Sequence, residues 1–308
     1  MKLVDLYYDL KPFIPRWLQL AVRRQIAHYK RKASHHVWPI DPIAAKQPDG
    51  WLGWPDQKTF ALILSHDVDT AKGCERCISL MNIDKALNFK SSFNFVPEGY
   101  YVPSELLRSL TDAGFDVGVH GLTHDGKLFI RREVFERKAP RINHYLKKWK
   151  SAGFVAPSMR RNLDWIANLD IEYDCSTFDT DPFEPQPIGV RTIFPFWVLN
   201  SSGTRGYVEL PYSLPQDHCL FVILKQKNIK IWTEKLDWVA KNGGVALLNT
   251  HPDYMNFVGN SCSREEYPVG YYLDFLEYAK NKYKGQYWNV LPRELARFWK
   301  KTMVKIEI

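Results

Sequence analysis

No apolar run in this sequence approaches the length of a membrane span. Its opening residues, MKLVDLYYDLKPFIPRW, lack the uninterrupted apolar core and small-residue cleavage site of a secretory signal. Cysteine is sparse, five in 308 residues, and an odd, scattered set is not a disulfide framework. These absences lead us to expect a cytoplasmic chain. No second pair accompanies Cys74-x-x-Cys77, so a four-ligand zinc site is not available there, and the pair reads as two reduced thiols on a helix. A base-reading motif is missing too. The net charge of +8 does not substitute for one, because it is concentrated at one end: up to Pro39 there are eight basic residues against Asp5 and Asp9, a surplus of six, and the remainder is close to neutral. Nucleic acid is therefore not an expected partner.

What is present is enough apolar material for a large core, 45% hydrophobic and 14% aromatic. The composition divides the chain into an N-terminal extension, residues 1–58, and one catalytic-sized unit, residues 59–308. Residues 12–33 carry Trp17, Leu18, Ala21, Val22, Ile26 and Tyr29 near one helical face, with Arg16, Arg23 and Lys30 on others. Such a basic amphipathic helix is compatible with peripheral contact at an anionic membrane, but the plainer expectation is that its apolar face packs on the main domain and its basic face is solvated. Residues 34–58, rich in Trp, Pro and Gly, read as an irregular wrapping segment whose tryptophans pack.

Beyond Lys58 short apolar strands alternate with helical stretches. Strands are expected at 60–65, 91–96 and 115–120, and at FVAP, IEYDCS, GYVELP, GGVALLNT and YWNVL; helices are expected around Ile78–Ile83, from Ser104 to Gly114, and over most of EVFERKAPRINHYLKKWKSAG. Alternation of this kind implies an α/β fold with a parallel sheet, expected here as a distorted, TIM-like (β/α) barrel of about seven strands. An open doubly wound sheet is the alternative, although no Gly-x-Gly-x-x-Gly follows the first strand.

The chemistry lies at strand ends. FALILS runs into Ser65-His66-Asp67-Val68-Asp69, FDVGV into His120-Gly-Leu-Thr-His124, and GGVALLNT into His251-Pro252-Asp253. The carboxyl ends of barrel strands form the catalytic face. Helix capping by Asp or Thr70 could account for one aspartate, but hardly for two beside a histidine. Two imidazoles four residues apart share a face of a helical turn and can reach one ion, and a third strand end delivering His251 to the same face makes a divalent-metal site the sharper reading.

The order and spacing of these segments resemble the polysaccharide deacetylase family, carbohydrate esterase family four, over residues 60–255. Ser-His-Asp67-Val-Asp69 is similar to its first motif, His120-Gly-Leu-Thr-His124 to its second, and Leu247-Leu248-Asn249-Thr250-His251-Pro252 to its last. The resemblance implies that Asp69, His120 and His124 hold a divalent ion, zinc by default with cobalt, nickel and iron open. It implies Asp67 as general base and His251 as general acid. The implied reaction is attack of metal-activated water on an acetamide carbonyl, releasing the N-acetyl group of an amino sugar or glycan precursor, for instance a lipid- or nucleotide-linked one. O-deacetylation and hydrolysis of a non-sugar amide remain open. The family's third motif, Arg-x-Pro-aromatic, is replaced by Val155-Ala156-Pro157-Ser158, with Arg160 or Arg161 as candidate substitutes; for the fourth motif's aspartate the candidates are Asp174 and Asp179.

Between Ser176 and Trp197 runs an aromatic, proline-rich stretch in which Phe178, Phe183, Phe194, Phe196 and Trp197 could form a sugar-stacking wall, with Asp179, Asp181 and Glu184 reaching hydroxyls; loop packing on the rim is the competing reading. Substrate contacts are assigned to Asp181, Trp197 and Arg160. Two rival functions follow from the same residues. One is a catalytically weakened barrel that binds a glycan or a partner; the other is a glycosyltransferase using Asp67-x-Asp69 to hold a metal and a nucleotide diphosphate.

Overall fold

Every residue of the strand β1 (Phe60–Val68) is buried, as a strand covered on both faces must be, and it organises the barrel. The computed structural model describes residues 14–303 apart from 201, 202, 204, 260 and 261, so residues 12 and 13 of the expected first helix lie outside the described residues. That helix, α1, spans Arg16–Ala33. After β1 come α2 (Ala71–Ala86), β2 (Ser91–Phe95), α3 (Ser104–Asp112), β3 (Asp116–His120), α4 (Arg132–Trp149), β4 (Gly153–Val155), the short α5 (Leu163–Ile166) and β5 (Tyr173–Asp174). The second half holds β6 (Phe196–Leu199), β7 (Arg205–Glu209), a π-helix (His218–Ile223), α6 (Lys230–Asn242), β8 (Val245–Thr250), β9 (Met255–Asn256), β10 (Tyr267–Pro268), α7 (Gly270–Lys282), β11 (Tyr287–Asn289) and α8 (Pro292–Thr302).

Nine strands make the main sheet, in the order β11-β1-β2-β3-β4-β5-β7-β6, with β8 on the free flank of β1. All pairings but β6–β7 are parallel. Isolated bridges Phe178–Tyr212 and Leu214–Leu248 carry the curl round towards β8, giving the distorted (β/α) barrel the alternation implies. One short strand is unexpected, β6 inside the aromatic stretch, while the strand expected at YWNVL forms as β11 and abuts only the start of β1.

Caps differ in detail from the sequence reading. Ser104 is the first residue of α3, not its cap, and its hydroxyl turns to Glu105. Thr70 precedes α2 but gives its hydroxyl to Asp253 in the loop after β8, so a residue suited to capping ties two functional loops together instead. Cys74 and Cys77 are unpaired and buried on α2, and burial pushes the Cys74 thiol up to about 11, which keeps it in the unreactive protonated form near neutral pH. The wrapping segment does pack: Trp51 and Trp54 stack with Trp299 and Trp288, and the Trp54 indole donates to Gly243 O at the amino-terminal end of β8.

α1 departs from expectation. Gln19, Leu20 and Ala27 are buried, with Leu20 and Ala27 clustering with Val222 and Ile223 of the π-helix, while the apolar stripe read from the sequence faces outward. The reason is the docked surface: it offers backbone acceptors, and Arg24 donates to Val222 O and Arg264 O. Arg31 lies over the Trp38 ring.

Candidate active site

Because β1 and β3 run parallel on either side of β2, their carboxyl ends bring Asp69, His120 and His124 together, with one ligand atom from each lying within 4.8 Å of the others. His120 Nε2 and His124 Nε2 are each 3.4 Å from Asp69 Oδ1. Asp69 Oδ1 and His120 Nε2 are buried and have no hydrogen-bond partner. Orphaned buried acceptors of this kind are costly unless something electropositive sits among them. The tautomer points the same way. His120 Nδ1 is 3.1 Å from Val155 O, a carbonyl that can only accept; the proton is therefore on Nδ1, and the Nε2 lone pair is presented to the cluster. Two imidazoles and a carboxylate suit a divalent transition ion, and the residues present fit one. Burial opposes charge on Asp69, but His124 and His120 outweigh it and hold its carboxyl below the usual range.

Asp67 is separate from the cluster, its Oδ2 4.0 Å from His120 Nε2. Its own partners are amides: Asn94 Nδ2 donates to Oδ1 at 2.9 Å and Asn249 Nδ2 to Oδ2 at 2.7 Å. Strand register makes this possible. Asp67 sits opposite Asn94 on β2, and Asn94 opposite Gly118 on β3, so carboxylate, amide and gap form one row across three strands. A Cβ at Gly118 would lie 2.0 Å from Asn94 Oδ1. Gly118→Ala should therefore push Asn94 off Asp67, lowering turnover by about tenfold and stability by about 1–3 kcal/mol. Parallel kinetics and urea unfolding check it; an alanine there with full activity would remove Asn94 from the site.

These amides orient Asp67, the task that the resemblance gives to an arginine. Arg160 donates to Gly126 O in the loop after His124, and Arg161 donates to Met159 O and Ile188 O while lying over Phe178; Asp67 is bonded to neither. Val155 thus loses the arginine's role but gains another, since its carbonyl orients His120.

His251 follows β8 and is held by Asp217. Its Nδ1 is 2.7 Å from Asp217 Oδ1, and its backbone N–H and the Tyr267 hydroxyl both donate to Oδ2. Burial disfavours the imidazolium, but Asp217, with Asp69 and Asp67 behind it, outweighs that and raises the His251 pKa to about 10. The candidates Asp174 and Asp179 do other work. Asp174 faces Glu209 in a buried carboxyl pair, where burial pushes Asp174 up to about 6; Asp179 is 2.5 Å from Lys235. Asp253 accepts from Asp69 N and fixes that ligand's loop, and Gly73 leaves it room, since a Cβ there would meet Asp253 Oδ2 at 2.2 Å.

The assigned substrate contacts fare differently. Arg160 stands beside the His124 loop. Asp181 is buried with both oxygens bonded, to Phe183 N and the Tyr212 hydroxyl, and pins its loop. Trp197 lines a groove with Thr192, Pro195 and Trp299; neighbouring Ile193 bonds to Val245, at the end of β8 remote from His251. No sugar-stacking wall forms: Phe194 packs on Trp51, Phe183 on Trp38, and Phe178 is fully buried.

The curled, largely parallel sheet is a fold shared with solved structures described as polysaccharide deacetylases. No family model and no curated protein matches the sequence. Among solved structures it is similar to a protein from Mycobacterium smegmatis described as a polysaccharide deacetylase, at 19% identity and TM-score 0.61, covering 83% of this chain and 96% of that one. It is also similar to the Puue allantoinase, at 17% identity and TM-score 0.60, covering 86% of this chain and 98% of that one. A protein from Pseudomonas aeruginosa described as a polysaccharide deacetylase aligns at 14% identity and TM-score 0.60, again over 86% of this chain and 98% of that one.

Proposed function

We propose that this chain is a metal-dependent hydrolase that removes the N-acetyl group from an amino sugar or glycan precursor. One observation carries the reading: the buried, unpartnered Asp69 Oδ1 and His120 Nε2 face His124, while Asp67 beside them is held by two amides. Asp69, His120 and His124 would hold the ion, for which zinc suits the donor set. A divalent cation there supplies Lewis acidity, polarising a carbonyl and lowering the pKa of water. Asp67, oriented by Asn94 and Asn249, accepts the proton of the attacking water. His251, kept protonated by Asp217, hands a proton to the departing amine, which is a poor leaving group until it receives one. Free thiols at all five cysteines support a reducing, cytoplasmic setting.

The D-x-D alternative has less support, because Asp69 alone has an oxygen 3.4 Å from both histidines while Asp67 is oriented by two amides, so the site is a mixed imidazole–carboxylate one and not a pair of oxygen ligands. The weakened-barrel alternative rested on the missing arginine; two amides that orient Asp67 support the active reading over it. The test is release of acetate and free amine from acetylated amino sugars and their oligomers, with allantoin and an O-acetyl sugar as comparison substrates. Amine release that stops on chelation and returns with metal is expected; turnover of allantoin alone would move the substrate class, and chelator-resistant turnover would overturn the metal role.

A further inference from the structure

α1 (Arg16–Ala33) presents to solvent the side chains that a packing helix would bury. Trp17, Leu18, Val22, Ile26 and Tyr29 are 60, 38, 50, 50 and 75% exposed, while the opposite face docks through Leu20 and Ala27. Cations lie along the seam between α1 and the π-helix, at one edge of the outward stripe. Arg24 on α1 and Lys225 just beyond the π-helix converge on one acceptor, Arg264 O, so their partners are carbonyl dipoles and not carboxylates. Burial, with the charge of Arg24, lowers the Lys225 pKa, as expected for cations lacking an anion. Lys32 lies exposed at the end of the same helix.

We propose that this face of α1 docks on an anionic lipid surface. Apolar side chains with cations along one edge and at the helix end, and with Trp and Tyr among them, match the interface of an anionic bilayer, where rings sit at headgroup depth and cations meet phosphates. A second copy is a poorer occupant, because a symmetric pairing would bring the same cations together. The inference deepens the proposed function and in that respect rests on it. α1 lies against the π-helix that begins immediately after Asp217, so docking would set the rim near His251 at the bilayer, where a lipid-linked acetylated sugar is presented.

Flotation of the full chain with phosphatidylcholine vesicles, with and without about a third phosphatidylglycerol, tests it without requiring turnover. The wild type should float with the anionic vesicles only, and less as salt rises. Val22→Glu/Ile26→Glu should abolish flotation, and Arg24→Gln/Lys225→Gln should weaken it by about tenfold or more, with thermal melting of each variant checked beside the wild type. Tyr29→Glu, at the most exposed of these positions, supplies the same test should the double variant fail to fold. His120→Ala should still float, which separates this inference from the catalytic one. Wild-type protein that stays unbound, variants that float undiminished, or a dimer in light scattering that Val22→Glu/Ile26→Glu dissolves without any vesicle binding would each overturn it.

Discussion

Asp67→Asn should cost about 10²- to 10⁴-fold in turnover while leaving the bound metal at the wild-type level. The side chain is nearly isosteric, and its neighbourhood can adapt: Asn249 Oδ1 has no partner, so that amide can rotate to meet the new NH2 group. What the substitution removes is the negative oxygen that receives the water's proton, two residues from a ligand but outside the ligand cluster. Metal content and kcat measured on the same preparation separate the two roles. Loss of metal would make Asp67 a ligand, and retention of activity would place the base elsewhere.

The second large effect concerns the leaving group. Asp217→Asn removes the carboxylate that keeps a proton on His251 against its burial, so the imidazole pKa falls from about 10 and the acid form is lost at a lower pH. Hydrolysis of an N-acetyl substrate, which needs that proton, should fall by about 10²- to 10³-fold, with the alkaline limb of its pH profile displaced downward. An aryl acetate, whose leaving group departs without protonation, should lose less than about tenfold. Equal losses on both substrates would mean that Asp217 acts only by holding the loop through the His251 N–H and Tyr267.

The ligand set was legible because each ligand follows a buried apolar strand directly, and parallel strands of one barrel share a catalytic face. Asp217 was not, since SLPQDHCLFV carries no spacing that singles out its aspartate; only the turn into the π-helix brings it to His251. Asn94 left a fainter trace. A polar residue at the inward, late position of the buried strand SSFNFV needs a partner, but naming Asp67 as that partner takes the β1–β2 register. For Trp197 the aromatic run leaves stacking and packing open, and only the structure places it in a groove with Thr192, Pro195 and Trp299. For α1 the periodicity showed the apolar stripe, while the choice of docked face followed from carbonyls contributed by Val222 and Arg264, distant in sequence.

Metal analysis of the wild type beside His120→Ala tests the site most directly. His120 contributes the buried, unpartnered Nε2, fixed in its tautomer by Val155 O, and with it removed two ligands remain. The wild type should carry close to one divalent ion per chain and His120→Ala well under about a tenth of that after dialysis. A folded His120→Ala protein with its full metal content would show that the ion, if there is one, is held elsewhere.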